Sequence, residues 1–292
     1  MGEPSVSAVI IVYNGAAFLA EAIESVLAQT LDDWELLIAD DGSRDASLEI
    51  ASAYAARHPG RIRCLRHPDF GNHGMSATRN LGIAAARGRY IAFLDCDDVW
   101  LPRKLEEQVA VMDARPSLGM IYGRTLIWHS WREGAREGDH FYDLGVESGR
   151  DYDPPTLLSI LLENRAQTPT TCNALVRADL VRQVGGFEPR FRGMFEDQAF
   201  FAKVLLRARV HVSDECWAKY RQHAASHSAK SARRGDDLGP QVAYLWWFLR
   251  HVLRHDPQPR VVATVARRLL AQSRWLVRRR VRRGVKRVLG RA

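Results

Sequence analysis

The sequence predicts an α/β fold: an open, mostly parallel central sheet flanked by helices, with a basic helical C-terminal extension. Three observations carry this expectation. Two early segments read as buried parallel strands, strand-like and helix-like segments alternate as far as residue 125, and basic residues crowd the end of the chain.

Val6–Val12 is β-branched and nearly continuously apolar, as a strand covered on both faces must be, and Trp34–Ala39 repeats the pattern. Between them Phe18, Ala22, Ile23, Val26 and Leu27 recur at helical spacing, which makes the first 39 residues a strand-helix-strand unit. The alternation continues with a helix over 45–56, a strand over 62–65, a helix over 75–86 and a strand over 90–94. Pro102 suits the first position of a helix running to Ala114, and 118–122 is again strand-like. Residues 129–155 are rich in Gly, Asp, Glu and Arg and read as a long excursion. Helical pattern returns at 156–162, 177–184 and 197–208, with a strand at 173–176.

The chain has 292 residues and a formal net charge of +8. Residues 257–292 hold 12 basic side chains and no acidic one, leaving 30 of the 42 basic residues against all 34 acidic ones in 1–256. The high isoelectric point therefore belongs to an appendage on a mildly acidic body, which argues against a nucleic-acid binder. A hydrophobic fraction of 46% excludes wholesale disorder. No apolar run reaches 18 residues; the longest, Val242–Leu253, contains Arg250 and His251. The N-terminus has no signal-peptide pattern, and Cys64, Cys96, Cys172 and Cys216 are too scattered for a zinc site or a disulfide frame. Both points lead us to expect a cytoplasmic protein with reduced thiols.

Three of the strands end in polar clusters: Tyr13-Asn14, Asp40-Asp41-Gly42-Ser43 and Asp95-Cys96-Asp97-Asp98. Ligands of open α/β sheets bind at the carboxyl ends of strands. Carboxylates this close repel one another unless a cation lies among them, and such oxygen donors suit Mg²⁺ or Mn²⁺. The alternative for Asp40-Asp41 alone is a turn and helix cap.

Together with Ser25–Thr30, Ile38–Asp45, Gly71–Asn80 and Tyr90–Pro102, these segments resemble the nucleotide-binding half of family-2 glycosyltransferases of the GT-A fold, in the same order. The resemblance divides the chain into a nucleotide-sugar-binding half (1–125), an acceptor-binding and catalytic half (126–228) and a basic helical extension (229–292). It implies that Tyr13, with Asn14, lies against the nucleotide base and that Asp41 accepts from a base N–H. Asp95-Cys96-Asp97 looks like the family's D-x-D motif, with Asp97 as metal ligand and Asp95 near the ribose or sharing the metal. Arg79 approaches the nucleotide or phosphates, or else packs as an ordinary Arg, and Cys96 is a small buried filler.

Glu196-Asp197 follows Gly185-Gly-Phe187 and opens an apolar-periodic helix. The helix dipole alone would favour acids there, but the resemblance makes Asp197 the general base and Glu196 its support. Arg221 and His223, in Tyr220–His227, match a segment that faces the diphosphate, with His223 also a candidate metal ligand. An acceptor hydroxyl needs a base because its pKa is high, and a single displacement inverts the anomeric carbon without a covalent intermediate. The expected donors are UDP-, GDP- or dTDP-sugars and the expected acceptor a glycan or lipid-linked glycan, in bacterial cell-surface polysaccharide or glycolipid assembly. The processive Gln-x-x-Arg-Trp motif is missing from the sequence, so single-sugar transfer is expected. A nucleotidyltransferase or a non-catalytic scaffold are the alternatives. The first lacks its basic Gly-rich loop here, and intact Asp41, Asp95, Asp97 and Asp197 disfavour the second.

Over 261–277 the tail is amphipathic, with Val262, Val265, Leu269 and Leu276 on one face, and Arg278–Arg283 is basic on nearly all sides. With Trp246, Trp247 and Trp275 nearby, this suits peripheral attachment to an anionic membrane face. The alternatives are a solvated helix packed by its apolar stripe, and nonspecific binding to nucleic acid.

Overall fold

The computed structural model describes residues 2–163, 168–226, 229–230 and 238–289, with side chains through 275 apart from 238. Leu276 and the Arg278–Arg283 run therefore have side chains outside the described residues, and His227 lies outside them altogether. The chain forms two compact units, Met1–His223 and Ala224–Ala292.

The first unit begins β1 (Val6–Val12), α1 (Ala16–Leu27), β2 (Trp34–Asp40), α2 (Ser47–Arg57), β3 (Ile62–Arg66), α3 (Met75–Ala85) and β4 (Tyr90–Asp95). Every residue of β1 and β2 is buried. Two of the three polar residues in them satisfy each other, Ser7 donating to Glu35 at 2.7 Å. It continues with β5 (Val99–Trp100), α4 (Lys104–Ala114), β6 (Leu118–Trp128), β7 (Arg150–Tyr152), α5 (Leu158–Glu163), β8 (Leu175–Arg177), α6 (Ala178–Gln183), α7 (Glu196–Leu205) and β9 (Arg209–Arg221).

Among the described residues one sheet runs β3-β2-β1-β4-β8-β6-β9-β5, with β7 also on β9. The pairs β3-β2, β2-β1, β1-β4 and β6-β9 are parallel, whereas β8 lies antiparallel to both β4 and β6. β5 and β7 lie antiparallel to β9, so four of the eight described pairings are parallel; these are the long ones, so most paired residues run parallel, as expected, and the carboxyl ends of β1, β2 and β4 meet along one edge.

Several boundaries differ from the sequence expectation for local reasons. Asp45 stays outside α2 because its carboxylate accepts from the backbone N–H and hydroxyl of Ser47. Pro102 precedes α4 by two residues, its carbonyl accepting from Thr30 N. β6 continues past Tyr122 because pairing with β9 runs on to Trp128. The excursion after β6 is largely irregular, but its end forms β7 on β9.

The second unit contains α8 (Leu238–His255) and α9 (Pro259–Leu289), which pack on each other. Tyr244, Leu245, Phe248 and Val252 are buried on α8, and Val261, Val265 and Leu269 on α9, at helical spacing. No described helix is long and apolar enough to cross a membrane.

Candidate active site

The loops after β1 and β2 are built as one piece. Asn14, at a left-handed φ of 52°, donates from its backbone N–H to Ser43 Oγ and accepts at Oδ1 from Arg44 N. Gly15 N donates to Ser47 Oγ, and Asp41 N to the Val12 carbonyl. Gly15 must be glycine, since a Cβ there would lie 2.6 Å from Cys96 Sγ. The third cluster is tied in by the same cysteine: the Cys96 thiol hydrogen-bonds the backbone of Tyr13, whose ring is half exposed.

Asp40 and Asp41 divide two tasks. Asp40, fully buried, closes the turn by accepting from Gly42 N and Ser43 N. Asp41 instead anchors the loop before α3. Its Oδ1 accepts from His73 N at 2.7 Å, and its Oδ2 from Asn72 Nδ2 at 2.8 Å and Gly74 N at 2.9 Å. Two carboxylate oxygens offer about four acceptor directions, so roughly one is left for a ligand donor. Gly42 makes this docking possible: its φ is +76°, and a Cβ would stand 2.8 Å from the Phe70 carbonyl. His73 stacks on His67 and hydrogen-bonds Asp69.

The loop positions α3, and α3 carries Arg79 and Asn80 side by side. Asn80 pairs with the backbone of Phe187 in both directions at 2.8 Å, fixing the Gly185-Gly186-Phe187 turn. Phe187 stacks on Phe200 of α7 at 4.3 Å, which brings the start of α7 to the strand ends. Arg79 then spans the gap. Its Nη2 donates to Asp95 Oδ1 at 2.6 Å and its Nη1 to Glu196 Oε1 at 3.4 Å. Burial opposes the charge on Arg79, but Asp95, Glu196 and Asp197 outweigh it and its pKa is raised.

At the start of α7, Phe195 holds a left-handed φ of 70°, an uncommon conformation for a bulky residue. Burial and Asp197 push the Glu196 carboxyl up, against the pull of Arg79. Asp197 is half-buried and also raised, chiefly by burial, with Gln198 N and Arg79 pulling it down and Asp95 up.

Asp97 lies at the other end of the D-x-D segment. Its Oδ2 is 2.9 Å from His223 Nε2, and its carbonyl accepts from Arg221 Nε at 2.8 Å. Arg221 is almost fully buried, with Nη2 on Glu21 and rings of Phe18, Trp128 and Trp131 around the guanidinium. It is placed to hold the segment in shape. Among the described residues no three His, Cys, Asp or Glu side chains are arranged to hold a metal by themselves. Asp97 and His223 nonetheless offer a hard oxygen and an imidazole nitrogen at one point.

The ten candidate residues thus fall along one connected set of hydrogen bonds and chain neighbours at the strand ends. Three participants carried no role in the sequence reading. Asp98 is fully buried and accepts from Arg221 N; burial, then Asp97 and Asp95, hold its carboxyl well above the usual carboxylate range. Thr171 donates to Asp95 Oδ2 at 3.2 Å, and Glu21 pairs with Arg221. Asp98 had a signal, a third acid in the same cluster. Thr171 and Glu21 are brought in only by tertiary structure.

The family model for glycosyl transferase family 2 matches residues 7–185. An uncharacterised glycosyltransferase of Nostoc sp. is 31% identical over 229 residues, 78% of this chain and 67% of the relative. The putative glycosyltransferase EpsE of Bacillus subtilis is 42% identical over 110 residues, so that 38% of this chain covers 39% of that protein. Among solved structures, S. aureus TarS 1-349 in complex with UDP-GlcNAc superimposes with a TM-score of 0.70 at 19% identity, over 91% of this chain and 70% of that one. The mannosyltransferase PcManGT of Pyrobaculum calidifontis, in complex with GDP-Man and Mn²⁺, gives 0.59 at 17% identity, over 94% and 76%. With the family model spanning more than half its length and a relative above 30% identity over most of it, the chain belongs to glycosyl transferase family 2.

Proposed function

We propose that the protein is an inverting, metal-dependent transferase that moves a single sugar from a nucleotide-sugar donor to an acceptor hydroxyl. The observation that carries this is the Arg79 bridge, which joins the D-x-D carboxylate Asp95 to the Glu196-Asp197 pair. It sets a basic carboxylate beside the segment that would hold the diphosphate, as a one-step displacement requires.

The nucleotide base would lie against Tyr13, beside Asn14, with the open acceptor direction of Asp41 taking a base N–H. Asp97 and His223 would hold Mg²⁺ or Mn²⁺, with Asp95 at the ribose side and diphosphate oxygens completing the ligand set. Such an ion, when bound, neutralises charge on the leaving diphosphate. Asp197 takes the proton of the acceptor hydroxyl as its oxygen bonds to the anomeric carbon. The bond from that carbon to the diphosphate breaks with its electron pair, and configuration inverts. A raised pKa makes Asp197 a stronger base than an exposed carboxylate. Arg79 and Arg221 act by holding carboxylates and the D-x-D segment in place.

That TarS and PcManGT are solved with UDP-GlcNAc and GDP-Man supports a UDP- or GDP-sugar donor, with dTDP-sugars in the same chemical class. The acceptor we propose is a glycan or lipid-linked glycan of bacterial cell-surface polysaccharide or glycolipid assembly, handled at the cytoplasmic face. Thermal shift with UDP, GDP and dTDP, each with and without Mn²⁺, tests the reading. Stabilisation by at least one, enhanced by Mn²⁺, is expected; no stabilisation by any of the three overturns it.

A further inference from the structure

Among the described side chains, the apolar stripe that the sequence suggested for membrane contact is largely covered. Val265 and Leu269 are buried, Val262 is partly so, and neighbouring Val261 is buried too. On each helix of the same unit a different stripe is exposed. On α8 it carries Ala243, Trp246, Arg250 and Leu253, and on α9 Arg260, Ala263, Arg267, Leu270 and Arg274, with Trp275 at its edge. Both runs recur at three- and four-residue spacing, so each forms one stripe. Trp246, Leu253, Leu270 and Trp275 each leave more than half their surface exposed, and they are four of the six large hydrophobic residues so exposed among the described residues. The Arg250 guanidinium lies 5.8 Å from the Trp246 ring centroid.

Residues 238–292 hold 14 Lys and Arg side chains against one acid, Asp256. Each stripe therefore pairs arginines with bulky apolar groups. Charge alone would suit any polyanion. On α9, exposed Leu270 has nothing to offer a phosphate backbone, whereas at a bilayer surface it and the Trp275 indole enter the acyl boundary while the arginines meet lipid phosphates.

We propose that the exposed stripe of α9, and not the buried Val265-Leu269 stripe, is a docking surface for an anionic phospholipid bilayer. The proposal deepens the reading of a transferase acting at the cytoplasmic membrane face, and rests on it only for its biological setting.

The test is co-sedimentation of the full chain with sucrose-loaded vesicles, either phosphatidylcholine alone or phosphatidylcholine with about one-third phosphatidylglycerol. Binding to the anionic vesicles should exceed that to neutral ones by at least about tenfold, and weaken as salt screens the charges. Arg267→Glu with Arg274→Glu should weaken it by about 25-fold, at about fivefold for each basic residue lost near the surface. Leu270→Ser with Trp275→Ser should weaken it by about tenfold through lost apolar burial. Equal binding to both vesicles, or none, overturns the proposal. So does loss in the arginine variant alone, which would mark a charge-only surface. Melting temperature and nucleotide-dependent stabilisation, measured on each preparation, separate these outcomes from misfolding. Anionic-vesicle binding without any nucleotide response would refute the transferase reading and leave the docking surface standing.

Discussion

Arg79 and Asp95 form an ion pair of 2.6 Å whose guanidinium is only 1% exposed. The same Arg79 reaches Glu196 at 3.4 Å, so one cation compensates carboxylates on two separate elements, β4 and α7. Removing one partner of a buried pair leaves an uncompensated charge. Arg79→Met should therefore lower stability by about 3–5 kcal/mol, read as a fall in melting temperature. Arg79→Lys keeps the charge but not the two-pronged fork. It should melt close to the wild type yet lose most transfer activity. Wild-type turnover by the Lys variant would show that charge alone suffices.

Asp97 and Asp98 are adjacent acids with opposite expected behaviour. Asp98 is buried with its carboxyl pushed well up, by burial and then by Asp97 and Asp95, which favours its neutral form. The near-isostere Asp98→Asn should keep transfer within about tenfold of wild type, as replacing one hydrogen-bonded group by another of like shape costs on the order of 1 kcal/mol. Asp97→Asn removes a charged group facing His223 and should abolish the enhancement of nucleotide binding by Mn²⁺. Thermal shift and turnover of both variants decide the assignment.

Asp41 is expected to act on the nucleotide partly through the loop it anchors. Asp41→Ala leaves His73 N and Gly74 N without their acceptor, and Asn72 Nδ2 with only the residue-41 backbone carbonyl at 3.3 Å. Each hydrogen bond to a charged group is worth about 1.5–3 kcal/mol. Nucleotide affinity should fall by at least about tenfold, with proteolytic cleavage newly admitted between Asp69 and Gly74. Unchanged affinity by calorimetry would remove Asp41 from the base site.

Lys104 is buried on α4, donating to Gln108 Oε1 and to the Ala174 carbonyl. Burial lowers its pKa to about 7. The folded state therefore holds this proton less tightly than the unfolded chain does. Between pH 7 and the unfolded value the unfolded state binds more protons, so stability rises with pH across that window and the full penalty is present below it. Lys104→Met should raise stability at pH 6 by on the order of 2 kcal/mol and flatten the rise between pH 7 and 10. Melting temperatures across that range test it.

The first half of the fold was legible because β1, β2 and β4 are buried on both faces, which gives continuous apolar runs that only a covered parallel strand explains. β5, β7 and the long β9 escaped because their side chains alternate in burial irregularly, and two of them are three residues or shorter. In the site, residues at strand ends could be read because topology alone brings such ends together. Thr171 on Asp95, Glu21 on Arg221 and the aromatic rings around Arg221 could not, since those contacts join segments 76 to 203 residues apart through packing. The tail shows the opposite failure. Its helical period was correct, but period does not say which stripe faces inward, and burial took Val265 and Leu269.

The most direct test of the catalytic reading is Asp197→Asn, assayed for release of nucleoside diphosphate across a panel of UDP-, GDP- and dTDP-sugars with Mn²⁺. The variant is nearly isosteric and removes only the proton acceptor. The expected result is loss of turnover by at least about 100-fold, the scale of general-base catalysis, with nucleotide-dependent thermal stabilisation equal to wild type. Turnover retained by the variant would contradict the role of Asp197 as the base that activates the acceptor hydroxyl.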